Sequence, residues 1–160
     1  MKKSICLFLS IIICLLCVIP ANAANETFEA VNSETVIMYE DGSYLIISPI
    51  YCIESNSRAT TSTKNAFQTY TYNDSSGAIE WQFVLNATFS YVYGSSVTCT
   101  NATYNYTIYE DSWEFSNGSA SHSGATAYGY GTFKNKFLFV TTKTVNAELA
   151  ISCDIYGNLS

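Results

Sequence analysis

From Ile79 to Tyr91 apolar and polar residues alternate almost without a break, which leaves this stretch little choice but a β-strand. Ile79, Trp81, Phe83, Leu85, Ala87, Phe89 and Tyr91 alternate with Glu80, Gln82, Asn86, Thr88 and Ser90, and only Val84 interrupts the pattern. Side chains two apart on a strand share a face, so one face is core and the other wet. A slip of one residue would bury Glu80 and Gln82, so the register is strongly specified.

The same period recurs along the chain, and helical periodicity is nearly absent. Thr35–Glu40 and Ser43–Ile50 flank Asp41-Gly42, where glycine supplies the positive φ of a tight hairpin turn. Pro49 cannot donate to a ladder, so this second arm is expected to be an edge strand or to end there. Residues 54–63 are polar and patternless and read as a loop. Strands are expected at Ala66–Tyr72, Val97–Tyr109, Ala125–Phe133, Phe137–Thr142 and Thr144–Asp154, with turns near Asn73–Gly77, Gly94–Ser96, Glu110–Trp113, Ser121–Gly124 and Lys134–Lys136. On the last strand Val145, Ala147, Leu149, Ile151 and Cys153 share the apolar face. Short, evenly spaced strands joined by turn chemistry predict an all-β fold, an antiparallel β-sandwich.

The amino terminus predicts export. Lys2 and Lys3 precede an apolar stretch from Ile5 to Ile19, Pro20 breaks it, and Ala21-Asn22-Ala23 fits signal peptidase. Residues 1–23 are therefore expected to be a cleaved signal peptide, with cleavage one residue later as the alternative. Residues 24–160 are expected to form a single all-β domain, secreted and without a stable membrane span. Leu16 before Cys17 and Ile13 before Cys14 are too bulky for a lipoprotein signal.

Charged residues make up 12% of the chain, against about a quarter in ordinary globular domains. Tyrosine, threonine, serine and asparagine take their place, as suits an exported β-protein. The net charge is −6, falling to −8 once Lys2 and Lys3 are removed. The five remaining basic residues, Arg58, Lys64, Lys134, Lys136 and Lys143, do not cluster in sequence. Nucleic acid, which demands a basic face, is thus not an expected partner.

Cys52, Cys99 and Cys153 follow the signal. Cys99 lies in phase with Val97, and Cys153 with Leu149 and Ile151, so a Cys99–Cys153 disulfide is expected. Cys52 sits at the fraying end of an edge hairpin; Cys52–Cys99 and Cys52–Cys153 are the alternatives.

Little in the sequence carries catalytic chemistry. The sole histidine, His122, lies in a serine-rich turn, and nothing around it resembles a nucleophile elbow. Zinc-ligand spacing is absent, so no metal and no cofactor is expected. Glu110, Asp111 and Glu114 form a local acidic loop beside Trp113, which could serve glycoside hydrolysis or calcium, and reads more simply as a solvated turn. The expectation is a non-enzymatic protein.

The distinctive motif is Tyr-x-Tyr, at Tyr70/Tyr72, Tyr91/Tyr93, Tyr104/Tyr106 and Tyr128/Tyr130. Each pair places two phenols on one face of a strand, either as a cross-strand ladder or as a flat platform for a sugar or peptide. Tyr104, Tyr106, Tyr128 and Tyr130 are the candidate binding residues. Gly129 and Gly131 are expected to leave the last two rings standing clear.

Two resemblances bear on fold and address. The order Cys99, Trp113, Cys153, at intervals of 14 and 40 positions, resembles an immunoglobulin domain. Ile151 stands where that fold has its corner tyrosine, and the seven residues after Cys153 are too few for its final strand. The resemblance therefore implies Ig-like architecture in general and not a true immunoglobulin domain. The chain is also similar to small exported proteins of clostridia and related gut bacteria, through Tyr39–Leu45 (YEDGSYL), Thr98–Thr100 (TCT) and the Leu149–Ser160 ending. That likeness implies bacterial secretion and one domain. The expected function is a secreted binding module for an extracellular carbohydrate or protein; the alternative is a toxin or bacteriocin-like effector acting on membranes.

Overall fold

A computed structural model describes residues 29–55 and 61–160. The expected signal peptide, and part of the expected loop at 54–63, lie outside the described residues. The described chain is all-β, with ten strands: β1 Glu29–Val31, β2 Thr35–Met38, β3 Tyr44–Ile47, β4 Ile50–Ser55, β5 Ser62–Asn73, β6 Ile79–Val92, β7 Ser96–Ile108, β8 Trp113–Ser123, β9 Thr126–Phe137 and β10 Val140–Ser152.

They form two antiparallel sheets packed face to face, one of seven strands and one of three. In the larger sheet β5 carries β6 and then β7 on one side. On its other side β3 and β4 lie in line, with β2 beyond β3 and β1 beyond β4. The smaller sheet is the meander β8–β9–β10.

The arm containing Pro49 is not at an edge; its strand ends at Ile47, just before the proline, which is the other expected outcome. Ser48 and Pro49 fall in the gap between β3 and β4, where Ser48 Oγ accepts a bond from the Thr69 backbone N–H (2.9 Å). Gln68 Nε2 donates to the Ser48 carbonyl (3.1 Å). Side chains thus bridge the gap that the proline leaves between β3 and β4.

The core lies between the sheets. Trp81, Phe83, Leu85, Ala87 and Phe89 all point inward, as their alternation predicts, and meet Phe133, Val145, Ala147, Leu149 and Ile151 of the smaller sheet. Ile79, expected on the same face, is exposed, because the ladder shifts register between it and Trp81. Trp81 and Phe133 stack with centroids 3.8 Å apart and planes 4° from parallel. Tyr70 and Tyr72 are buried, stacked beside Trp81 at 6.0 and 5.3 Å. This Tyr-x-Tyr pair is core rather than platform.

Gly129 and Gly131 face inward as well, because neighbours on a strand alternate. A Cβ on Gly131 would sit 2.8 Å from Phe83 Cδ2, and one on Gly129 would sit 3.1 Å from Leu85 Cδ1. The glycines admit the larger sheet's side chains; they do not clear space around the tyrosines.

The expected disulfide is not formed: Cys99 and Cys153 are buried thiols. Cys99 Sγ donates to the Asn101 carbonyl (3.3 Å) and Cys153 Sγ to that of Asp154 (3.5 Å). Their backbones do converge, Cys99 N–H bonding to Gly124 O (2.8 Å) and Cys153 N–H to Ala125 O (3.0 Å). Burial pushes the Cys153 thiol up to about 11, with Cys52 and Cys99 near enough to add to the shift. Cys52 is itself fully buried, since β1 and β5 flank its strand and no edge is left to fray.

Lys134–Lys136 was expected to be a turn and is strand. β9 runs on to Phe137, and the reversal falls at Leu138-Phe139, with φ of 46° and 70°. Two apolar residues in the left-handed region give no turn signal in sequence.

Candidate binding sites

The four predicted tyrosines fall on two different surfaces. Tyr104 and Tyr106 lie on the inner face of β7, the outermost strand beyond β6. Tyr104 stacks on Phe83 (5.5 Å) and Tyr106 on Phe115 of β8 (3.9 Å, 17°), so this pair lines the seam where the two sheets meet.

Tyr128 and Tyr130 occupy the outer face of the smaller sheet, at the centre of its middle strand. Tyr128 is 46% exposed and Tyr130 half-buried. Their flanks are set by register: Ser119 and Glu148 sit opposite Tyr130, Ser121 and Ala150 opposite Tyr128. Ser119, Ser121 and Ala150 are small, and together with Glu148 they border a shallow groove of about 370 Å³, with the two rings as its floor. Thr132 Oγ1 donates to the Tyr130 hydroxyl (2.8 Å), which donates to Asn146 Oδ1 (3.2 Å), so that ring is held in place. Among the described residues nothing bonds the Tyr128 hydroxyl.

A second cleft, of about 380 Å³, opens at one end of the sandwich and was not anticipated. Lys143 Nζ reaches Asp41 Oδ2 (2.6 Å), Ser43 Oγ (2.9 Å) and the Tyr72 hydroxyl (2.5 Å), and stands over the Tyr39 ring at 4.7 Å. The bonds from Lys143 and Ser43 hold the Asp41 carboxyl down at about 2. Burial works against the Lys143 charge, but the bonds to Asp41 and Tyr72 outweigh it and raise its pKa.

Glu80 belongs to this cleft, although its place in the alternation predicts a side chain free in solvent. A bulge opposite Tyr72/Asn73 inserts Glu80 between Ile79 and Trp81. The re-aimed carboxylate accepts a bond from buried Trp113 Nε1 (2.9 Å). Partial burial raises its pKa despite that bond. No motif signals such a bulge.

The two carboxylates therefore shift in opposite directions. Asp41 favours the fold above its unfolded pKa, and that contribution is lost as pH falls toward about 2. Glu80 has the opposite sign: its charged form is penalised in the fold, and protonation relieves the penalty. Side-chain carboxylate NMR is expected to show Glu80 protonating first on acidification and Asp41 last. Coincident titrations would refute the network.

The acidic loop resolves into separate roles. Glu110 and Asp111 are exposed, and Glu114 pairs with Lys136 at 2.6 Å. Among the described residues no group of three or more His, Cys, Asp or Glu is placed to hold a metal ion. His122 is exposed near the end of β8. No protein family model matches the chain, and neither does any curated protein or solved structure.

Proposed function

We propose that the protein is an exported binding module that takes a carbohydrate on the outer face of its smaller sheet. The observation that carries the reading is the groove floored by Tyr128 and Tyr130, two ring-bearing residues about 7 Å apart on one strand. Ring faces stack on the apolar side of a pyranose, and the hydroxyls, Ser119, Ser121 and Glu148 supply hydrogen-bonding groups around it. Tyr130 is pre-ordered by Thr132 and Asn146, which lowers the entropy lost on binding. The acidic chain and the uncharged character of this floor favour a neutral glycan over an anionic one.

Affinity electrophoresis through gels containing neutral polysaccharides tests the reading. Retardation by at least one of them is expected, and Tyr128→Ala should weaken it about tenfold. Tyr106→Ala, on the other surface, should leave it unchanged. No retardation by any neutral polysaccharide, or equal loss from both variants, would remove the platform.

A further inference from the structure

We infer that the β9–β10 hairpin tip is a membrane-docking element that inserts into the interfacial layer of a phospholipid bilayer. Phe137, Leu138, Phe139 and Val140 are consecutive and are 67%, 75%, 98% and 65% exposed. Phe137 pairs with Val140, so the turn itself is only Leu138-Phe139, both with positive φ. Residues with a Cβ are strained in that region, and Asn-Gly is the ordinary solution for such a turn. This tip therefore combines backbone strain with four large apolar side chains turned away from the core. Neither property stabilises the fold in water, and burial in lipid would compensate both.

The dimensions suit a bilayer surface. The tip is about two residue rows deep, roughly 7 Å, which matches the depth reached by interfacial elements. Its tight turn exposes few unpaired backbone groups to the apolar layer. Behind it, Lys136 lies opposite Thr141, Lys143 opposite Asn135, and Lys134 opposite Thr144. These three lysines, within ten residues of one another in sequence, stand within a few rows of the apolar tip. Lys136 is paired with Glu114 and Lys143 with Asp41, while Lys134 makes no ion pair among the described residues. Two of the three lysine heads are thus taken up by carboxylates, and apolar insertion is the attraction.

Two variants of the full chain test this with vesicles of phosphatidylcholine. Phe139→Trp places an indole at the tip; its emission should shift to the blue on vesicles and be quenched by lipids brominated along the acyl chain. This signal comes from the tip and not from the apolar amino terminus. The double variant Leu138→Asn with Phe139→Gly should bind about tenfold less. Its melting temperature should nonetheless rise by a few degrees, because the turn is relieved of strain. Unshifted indole emission from the Phe139→Trp variant overturns the proposal, as does equal binding by the double variant. Self-association that the double variant abolishes, without vesicle binding, would assign the tip to a second copy of the chain and overturn it too.

Discussion

Trp81→Ala is expected to lower stability by about 3–5 kcal/mol in urea melts, a large fraction of the about 5–15 kcal/mol typical of a domain. Trp81 has no exposed surface and is surrounded by rings on several sides: Phe133 at 3.8 Å, Tyr72 at 5.3 Å, Tyr70 at 6.0 Å and Trp113 edge-on at 5.8 Å. Several of these rings are anchored elsewhere, so the site cannot collapse to fill the void. Tyr72 donates to Ser43 Oγ (2.7 Å), Tyr70 to the Asn146 carbonyl (3.0 Å), and Trp113 to Glu80. Trp81→Phe should cost much less, because among the described residues the buried Trp81 Nε1 has no hydrogen-bond partner to lose. Equal losses from the two substitutions would show that ring stacking is not what the indole contributes.

Gly131→Ala is expected to cost about 2–3 kcal/mol, although it adds one methyl group. The new Cβ would meet Phe83 Cδ2 at 2.8 Å and Cε2 at 2.9 Å. Phe83 is fully buried, stacked on Tyr104 at 5.5 Å and edge-on to Phe133 at 6.5 Å, so its ring has nowhere to retreat. The contact sets the distance between the sheets at this point. Gly129→Ala should cost less, since its nearest neighbours stand at 3.1–3.2 Å. A double variant with Phe83→Leu should recover part of the Gly131→Ala loss, and a double-mutant cycle in urea measures that coupling. Additive losses would mean that the sheets part freely and that the close approach is not tight.

Glu80 shows where alternation stops being a guide. Its neighbours place it on the wet face of β6, where truncation would be nearly neutral. The bulge instead turns it onto Trp113, whose buried N–H would be orphaned by Glu80→Ala. A bulge depends on how the partner strands meet, and the residues of one strand do not announce it.

Alternation along the chain was enough to place most of β5, β6, β7 and β9, the inward faces of β6 from Trp81 to Phe89 and of β10, and Tyr128 and Tyr130 together on one surface. Period two is a local property, because the pleat alone assigns each residue to a face. Which face is covered depends on packing between the sheets. Tyr70/Tyr72 and Tyr128/Tyr130 carry the same motif, yet the former pair packs between the sheets and the latter faces solvent. The inward role of Gly129 and Gly131 likewise becomes visible only once Leu85 and Phe83 stand opposite them. The turn at Leu138-Phe139 was illegible for a related reason: its residues prefer extended backbone, and the strand register that closes Phe137 on Val140 holds them in the left-handed region. Local preference selects the strands, while burial and register, summed over distant residues, select what each strand meets.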